Sequence, residues 1–177
     1  MMTMAIVKAN YVKRGSGEKE TAKASIRYMQ HRSGKDGSKI SRTLFNWDGA
    51  MERRDAYRMI DKAEQGSIFF RFVISPDPKK EDTHNDLYLR EVAERTMNTL
   101  EERVQNGVQW VAAVHDDHTD IRHVHVMAVV TGRLQVQDFQ AIRQSATQAS
   151  LTQRRQLDLV LEQKSREREE AEWERSV

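Results

Sequence analysis

Two apolar segments joined by a short polar stretch, Val108 to His115 (VQWVAAVH) and Arg122 to Thr131 (RHVHVMAVVT), constrain the fold of this chain more than any other feature. Each is rich in β-branched residues, and the brevity of the link predicts an antiparallel hairpin. Side chains alternate across a strand, so Val124, Val126, Ala128 and Val130 face one way and His123, His125, Met127 and Val129 the other. Apolar residues on both faces mark a central strand covered by helices on at least one side.

The remaining segments suit such a sheet. Met4 to Val12 reads as a strand ending at Gly15-Ser16-Gly17, and Glu18 to Arg32, free of Gly and Pro, as a helix stopped by Ser33-Gly34. Lys39 to Trp47 is a strand or an extended loop, and Ala50 to Glu64 a second helix closed by Gly66. Ser67 to Ser75 (SIFFRFVIS) is a strong strand signal bounded by Gly66 and Pro76-Asp77-Pro78. Asp82 or Thr83 is positioned to cap a long helix that runs to about Gln105, with Asn106-Gly107 ending it. From Gln137 the pattern is helical again, and beyond Glu162 it loses its apolar face, as a solvated helix or frayed tail would.

These readings predict one α+β domain over residues 1–150, with about five mostly antiparallel strands and helices packed on the sheet. A charged helical extension follows over 151–177. No apolar run approaches the roughly 20 residues needed to span a bilayer, and Met1 to Asn10 is too short and too polar for a signal peptide, so a cytoplasmic protein without membrane insertion is expected.

The chain has no cysteine, so any metal must be held by histidine and carboxylate. His123 and His125 share a strand face, and a hairpin register pairing residue 115 with 123 sets His115 across from one and diagonal to the other. Three converging imidazoles with open positions form a divalent-metal site with room for a substrate oxygen. Asp117 is close enough in sequence to orient one ligand through its second ring nitrogen. His118, in the turn, and His84 read as surface residues.

Net charge is +2, yet residues 1–58 hold 13 Lys or Arg against 6 Asp or Glu, a balance of +7, leaving 16 against 21, or −5, for the rest. The basic part is a candidate polyanion surface. It contains Tyr28, with Lys23, Arg27 and His31 at fourfold spacing and Arg32 one turn on. Cations near a phenol favour its attack on a phosphate. Two readings of Tyr28 stand equally on residues alone: a nucleophile, or an aromatic packing a short helix onto the sheet.

The sequence resembles the HUH-type relaxases, mobilisation nucleases of the MobA, MobQ and VirD-like branches. His123-Val124-His125 is similar to their histidine-hydrophobe-histidine signature, and His115-Asp116-Asp117 to the histidine-x-aspartate preceding it. Ile26 to Arg32 (IRYMQHR) resembles the motif bearing the catalytic tyrosine, and the resemblance spans roughly Ile6 to Arg143. It implies site-specific nicking of single-stranded or hairpin DNA at a transfer origin, leaving a 5′-phosphotyrosine and a 3′-hydroxyl, with resealing by the reverse reaction. On this chain it implies Tyr28 as nucleophile, His115, His123 and His125 as ligands of one Mn²⁺ or Mg²⁺ ion, and Asp117 in support. Arg27, Arg32, Lys23 and Arg122 become candidate DNA contacts, and accessory relaxosome and coupling proteins candidate partners.

A branch of the family uses a histidine nucleophile, which makes His31 the alternative to Tyr28. Rival readings are a replication initiator or single-strand transposase of the same superfamily, a DNA-binding accessory module that does not cut, and an unrelated three-histidine enzyme acting on a small molecule. The polar tail leaves no face suited to self-association, so a monomer is expected.

Overall fold

The computed structural model describes residues 4–105, 107–117 and 119–177. Its elements are β1 (Ile6–Tyr11), α1 (Glu18–His31), β2 (Leu44–Asn46), β3 (Gly49–Met51), α2 (Arg53–Asp61), β4 (Ser67–Ser75), α3 (Leu89–Arg103), β5 (Val108–His115), β6 (His123–Thr131) and α4 (Val136–Ser176). The six strands form one antiparallel sheet in the order β1-β4-β6-β5-β2-β3.

The β5–β6 hairpin lies at its centre, as the two-faced apolar pattern requires. Val124, Val126, Ala128 and Val130 pack in one core with α3 and α4 residues Val92, Met97, Leu100, Ile142 and Ala146. Met127 and Val129 pack in a second core with Ile26 and Met29 of α1 and Ile60 of α2. Helices therefore cover both faces. Burying a side chain of the size of Phe72 or Met97 on either face contributes about 1.5–3 kcal/mol, so the sheet is fixed from both sides.

Four details depart from expectation. The sheet has six strands rather than about five, because Leu44–Asn46 and Gly49–Met51 form a small edge hairpin, with Gly49 at φ 112° in its turn. Ala50 consequently belongs to a strand, and α2 starts at Arg53. The helix expected to be capped by Asp82 or Thr83 begins at Leu89. Asp82 instead accepts a bond from the Leu87 amide and pairs with Arg122 at 3.0 Å, so its capping chemistry is spent on a loop.

The C-terminal segment is one helix of 41 residues that passes unbroken through residues 150 and 151. Its contacts with the domain continue to Gln153, which bonds the Tyr88 backbone, and Arg154, which holds Asp86 at 2.6 Å. Beyond Leu157 the side chains are mostly exposed. Among the described residues no helix is long and apolar enough to cross a membrane.

Candidate metal centre

The hairpin register pairs His115 with His123, and His125 lies on the same face of β6. His115 is wholly buried, while His123 and His125 are half-buried. Their ring centroids are 4.3 Å (His115 to His125), 4.9 Å (His123 to His125) and 5.3 Å (His115 to His123) apart. One ring nitrogen from each lies within 4.8 Å of the others, so the three form a cluster that can hold a metal ion.

Hydrogen bonds set the tautomers. A backbone carbonyl only accepts, so His115 donates Nε2–H to Met29 O at 2.7 Å and keeps its lone pair on Nδ1. Likewise His123 donates Nδ1–H to Ile121 O at 2.9 Å, which puts its lone pair on Nε2. That atom lies 3.2 Å from Nε2 of His125. Ligands bound at about 2.1 Å in tetrahedral or octahedral geometry stand about 3.0–3.4 Å apart, so this pair already has the spacing of two ligands on one ion. The donor set fits a divalent cation.

Burial pushes the His115 imidazole down to about 3, helped by the neighbouring His125, Arg42 and His123 and opposed by the Met29 carbonyl. His115 is therefore neutral around pH 7, the form that binds metal.

Asp117 is gripped by Arg42, a buried residue that sequence patterning did not single out. Nη2 donates to Oδ1 at 2.6 Å and Nε to Oδ2 at 3.0 Å, a bidentate pair, while the Arg42 amide donates to Gln30 O at 2.9 Å. Arg42 lies in an irregular segment with no periodicity to flag it. Together with the His115–Met29 bond, it ties the histidine hairpin to the end of α1.

Tyr28 is exposed and accepts a bond from Nη1 of Arg32 at 2.6 Å. Tyr28 and His125 line one groove of about 440 Å³, together with Thr21, Ser25, Met29, Lys8, Asn10, Arg71 and Val73. At 100° per residue Thr21, Ser25 and Tyr28 fall on one face of α1, which Arg32 follows as the C-cap, and Lys23 and Arg27 fall on the opposite side.

Lys23 pairs with Asp61 of α2 at 2.7 Å and lies over the Tyr57 ring. Arg27 is exposed, and so is His31, whose Nδ1 is 3.3 Å from Ile40 O and which does not line the groove. Arg122 binds Asp82 and the Leu87 carbonyl, bracing the loop before α3. His84 is exposed in that loop, and His118 lies outside the described residues.

Comparison of the chain with protein-family models, curated proteins and solved structures finds no match.

Proposed function

We propose that this protein is a metal-dependent relaxase of the HUH type, a nicking and rejoining enzyme for single-stranded DNA that uses Tyr28 as nucleophile. The observation that carries the reading is the shared groove: a tyrosine hydroxyl held by a guanidinium opens onto the same surface as a histidine of the metal cluster.

The Tyr28 oxygen attacks the scissile phosphorus. The phosphorus–O3′ bond breaks, a phosphotyrosine forms on the 5′ side, and the departing O3′ takes up a proton as the phenol loses its own. Arg32 donates to the attacking oxygen and balances negative charge there. A Mn²⁺ or Mg²⁺ ion held by His115, His123 and His125 would polarise a non-bridging phosphate oxygen as a Lewis acid. The Met29 carbonyl and the Arg42–Asp117 pair keep the hairpin and the nucleophile's helix in one geometry. The reaction conserves the phosphodiester's bond energy, so the 3′-hydroxyl can reverse it and reseal the strand.

The test is covalent capture. With Mn²⁺ and single-stranded oligonucleotides from its own locus, the wild-type chain forms an adduct stable in a denaturing gel, and Tyr28→Phe forms none. Adduct formation by Tyr28→Phe together with its loss in His31→Ala transfers the nucleophile to His31. No adduct on any origin-like DNA favours the non-cutting accessory reading.

A further inference from the structure

Most buried or half-buried cations of this protein are matched by a carboxylate. Arg42 has Asp117, Arg122 has Asp82, Arg154 has Asp86, Lys23 has Asp61 and Arg90 has Glu94. Lys8 and Arg71 are exposed and line the Tyr28 groove, and among the described residues neither has an acidic partner.

The sheet register places these two cations relative to the histidines. Lys8 pairs with Val73 and Val73 with His125, so Lys8, Val73 and His125 form one row across β1, β4 and β6. Asn10, Arg71 and Met127 form the next row on the same face. Strands lie about 4.8 Å apart and residues two apart on a strand about 6.7 Å, so the Cα atoms of Lys8 and Arg71 stand about 8–10 Å from that of His125. Long basic side chains cover such a distance. Helices α1 and α2 pack over the middle of this face, against Val111, Ala113, Met127 and Val129, and leave the Lys8 and Arg71 end as the open floor of the groove.

We infer that Lys8 and Arg71 form a phosphate-binding track, which holds the backbone of single-stranded DNA along the β1–β4 floor next to the phosphate at Tyr28 and His125. The inference deepens the nicking reading and rests on it for the identity of the polyanion. Two unmatched cations in a groove that also presents Asn10, Thr21 and Ser25 suit successive phosphates, since hydroxyl and amide groups hydrogen-bond phosphate oxygens without reading sequence. Arg71 interrupts the otherwise apolar β4 run, and this track accounts for a guanidinium there.

The test measures binding of fluorescein-labelled oligothymidine to the full chain in Mn²⁺ by anisotropy across a salt series. Lys8→Ala and Arg71→Ala are each expected to weaken binding about five- to tenfold and to lower the slope of log K against log salt by about 0.7. Lys8→Arg restores both, and Lys164→Ala, on the exposed part of α4, changes neither. Unchanged binding in both groove variants overturns the track while wild-type binding keeps the nuclease reading alive. An equal loss in Lys164→Ala also overturns it, since the effect would then be charge in general. Failure of the wild type to bind overturns track and reading together. Weakened binding in the groove variants alongside absence of any covalent adduct keeps the track and removes the nicking step.

Discussion

His115 donates its Nε2–H to the backbone carbonyl of Met29, the residue next to Tyr28, across 2.7 Å. A single bond from the deepest histidine therefore fixes both the tautomer of a candidate metal ligand and the position of the helix that carries the proposed nucleophile. Displacing either element disturbs the other.

Replacing a ligand should remove metal without unfolding the chain where the ligand is half-buried. His123→Ala and His125→Ala are expected to lower Mn²⁺ affinity by at least about a hundredfold, beyond the 10–100-fold typical of losing an outer-sphere partner. Titration calorimetry checks the affinity and far-ultraviolet dichroism the fold. Retention of tight Mn²⁺ binding by both variants would place the ion elsewhere.

Arg42→Ala leaves the Asp117 carboxylate without its bidentate partner in a site only 26% exposed at that side chain. The expected loss is about 2–3 kcal/mol, below the 3–5 kcal/mol of a fully buried pair because solvent screens part of the charge. Arg42→Lys restores the charge but not the two parallel bonds, and should recover only a part. Urea denaturation measures both.

His115 and Glu81 should tilt the stability profile in opposite directions on the acid side of neutrality. His115 titrates near 6.5 when unfolded and is pushed down to about 3 by burial. The unfolded chain binds a proton the native one refuses, so this contribution is complete above pH 6.5 and is lost toward pH 3, by at most about 1.4 kcal/mol per pH unit. Glu81, wholly buried with Oε1 accepting from the Asp77 amide at 2.6 Å, is raised from 4.5 to about 7 by burial, against that hydrogen bond. Its native proton stabilises fully below pH 4.5 and is lost as pH rises through 7. Glu81→Gln keeps the acceptor and cannot ionise, so at about pH 8 the variant should melt higher than wild type. Equal melting temperatures of variant and wild type at about pH 8 would show that the ionised Glu81 carboxylate does not lower stability.

Arg32→Ala should slow adduct formation about 10–100-fold, since it removes a charged donor from the oxygen of the proposed nucleophile, and leave Mn²⁺ affinity unchanged. Single-turnover gels separate the two effects. A fall in metal affinity instead would assign Arg32 to the centre's architecture.

Deleting residues 163–177 should shift stability by no more than about 0.5 kcal/mol, because the helix contacts with the domain end near Leu157. Thermal melts of the two lengths check this.

Much of the site was legible in the residues themselves. Strand alternation alone puts His123 and His125 on one face, the brevity of the hairpin forces His115 opposite them, and the lack of cysteine leaves histidine as the nitrogen donor. β4 and β5 were equally readable, since β-branched runs bounded by glycine and proline have one local solution. Where local and tertiary demands compete, the pattern misleads. Asp82 carries the signature of a helix cap, but the guanidinium of Arg122, just before β6, offers it a charge-assisted bond, and the helix starts later. The cations spaced around Tyr28 divide between two sides of α1, and helical spacing cannot say which side meets the sheet and which meets Asp61.

Strand periodicity and short connections act locally, so the central hairpin, its two buried faces and the convergence of three imidazoles follow from the order of the residues alone. Three further contacts arise only when the chain packs: Arg42 binds Asp117, the Met29 carbonyl accepts a hydrogen bond from His115, and Lys8 and Arg71 share a groove with Tyr28. Those contacts join residues far apart in the chain, and the order in which strands pair, not local propensity, sets their distances.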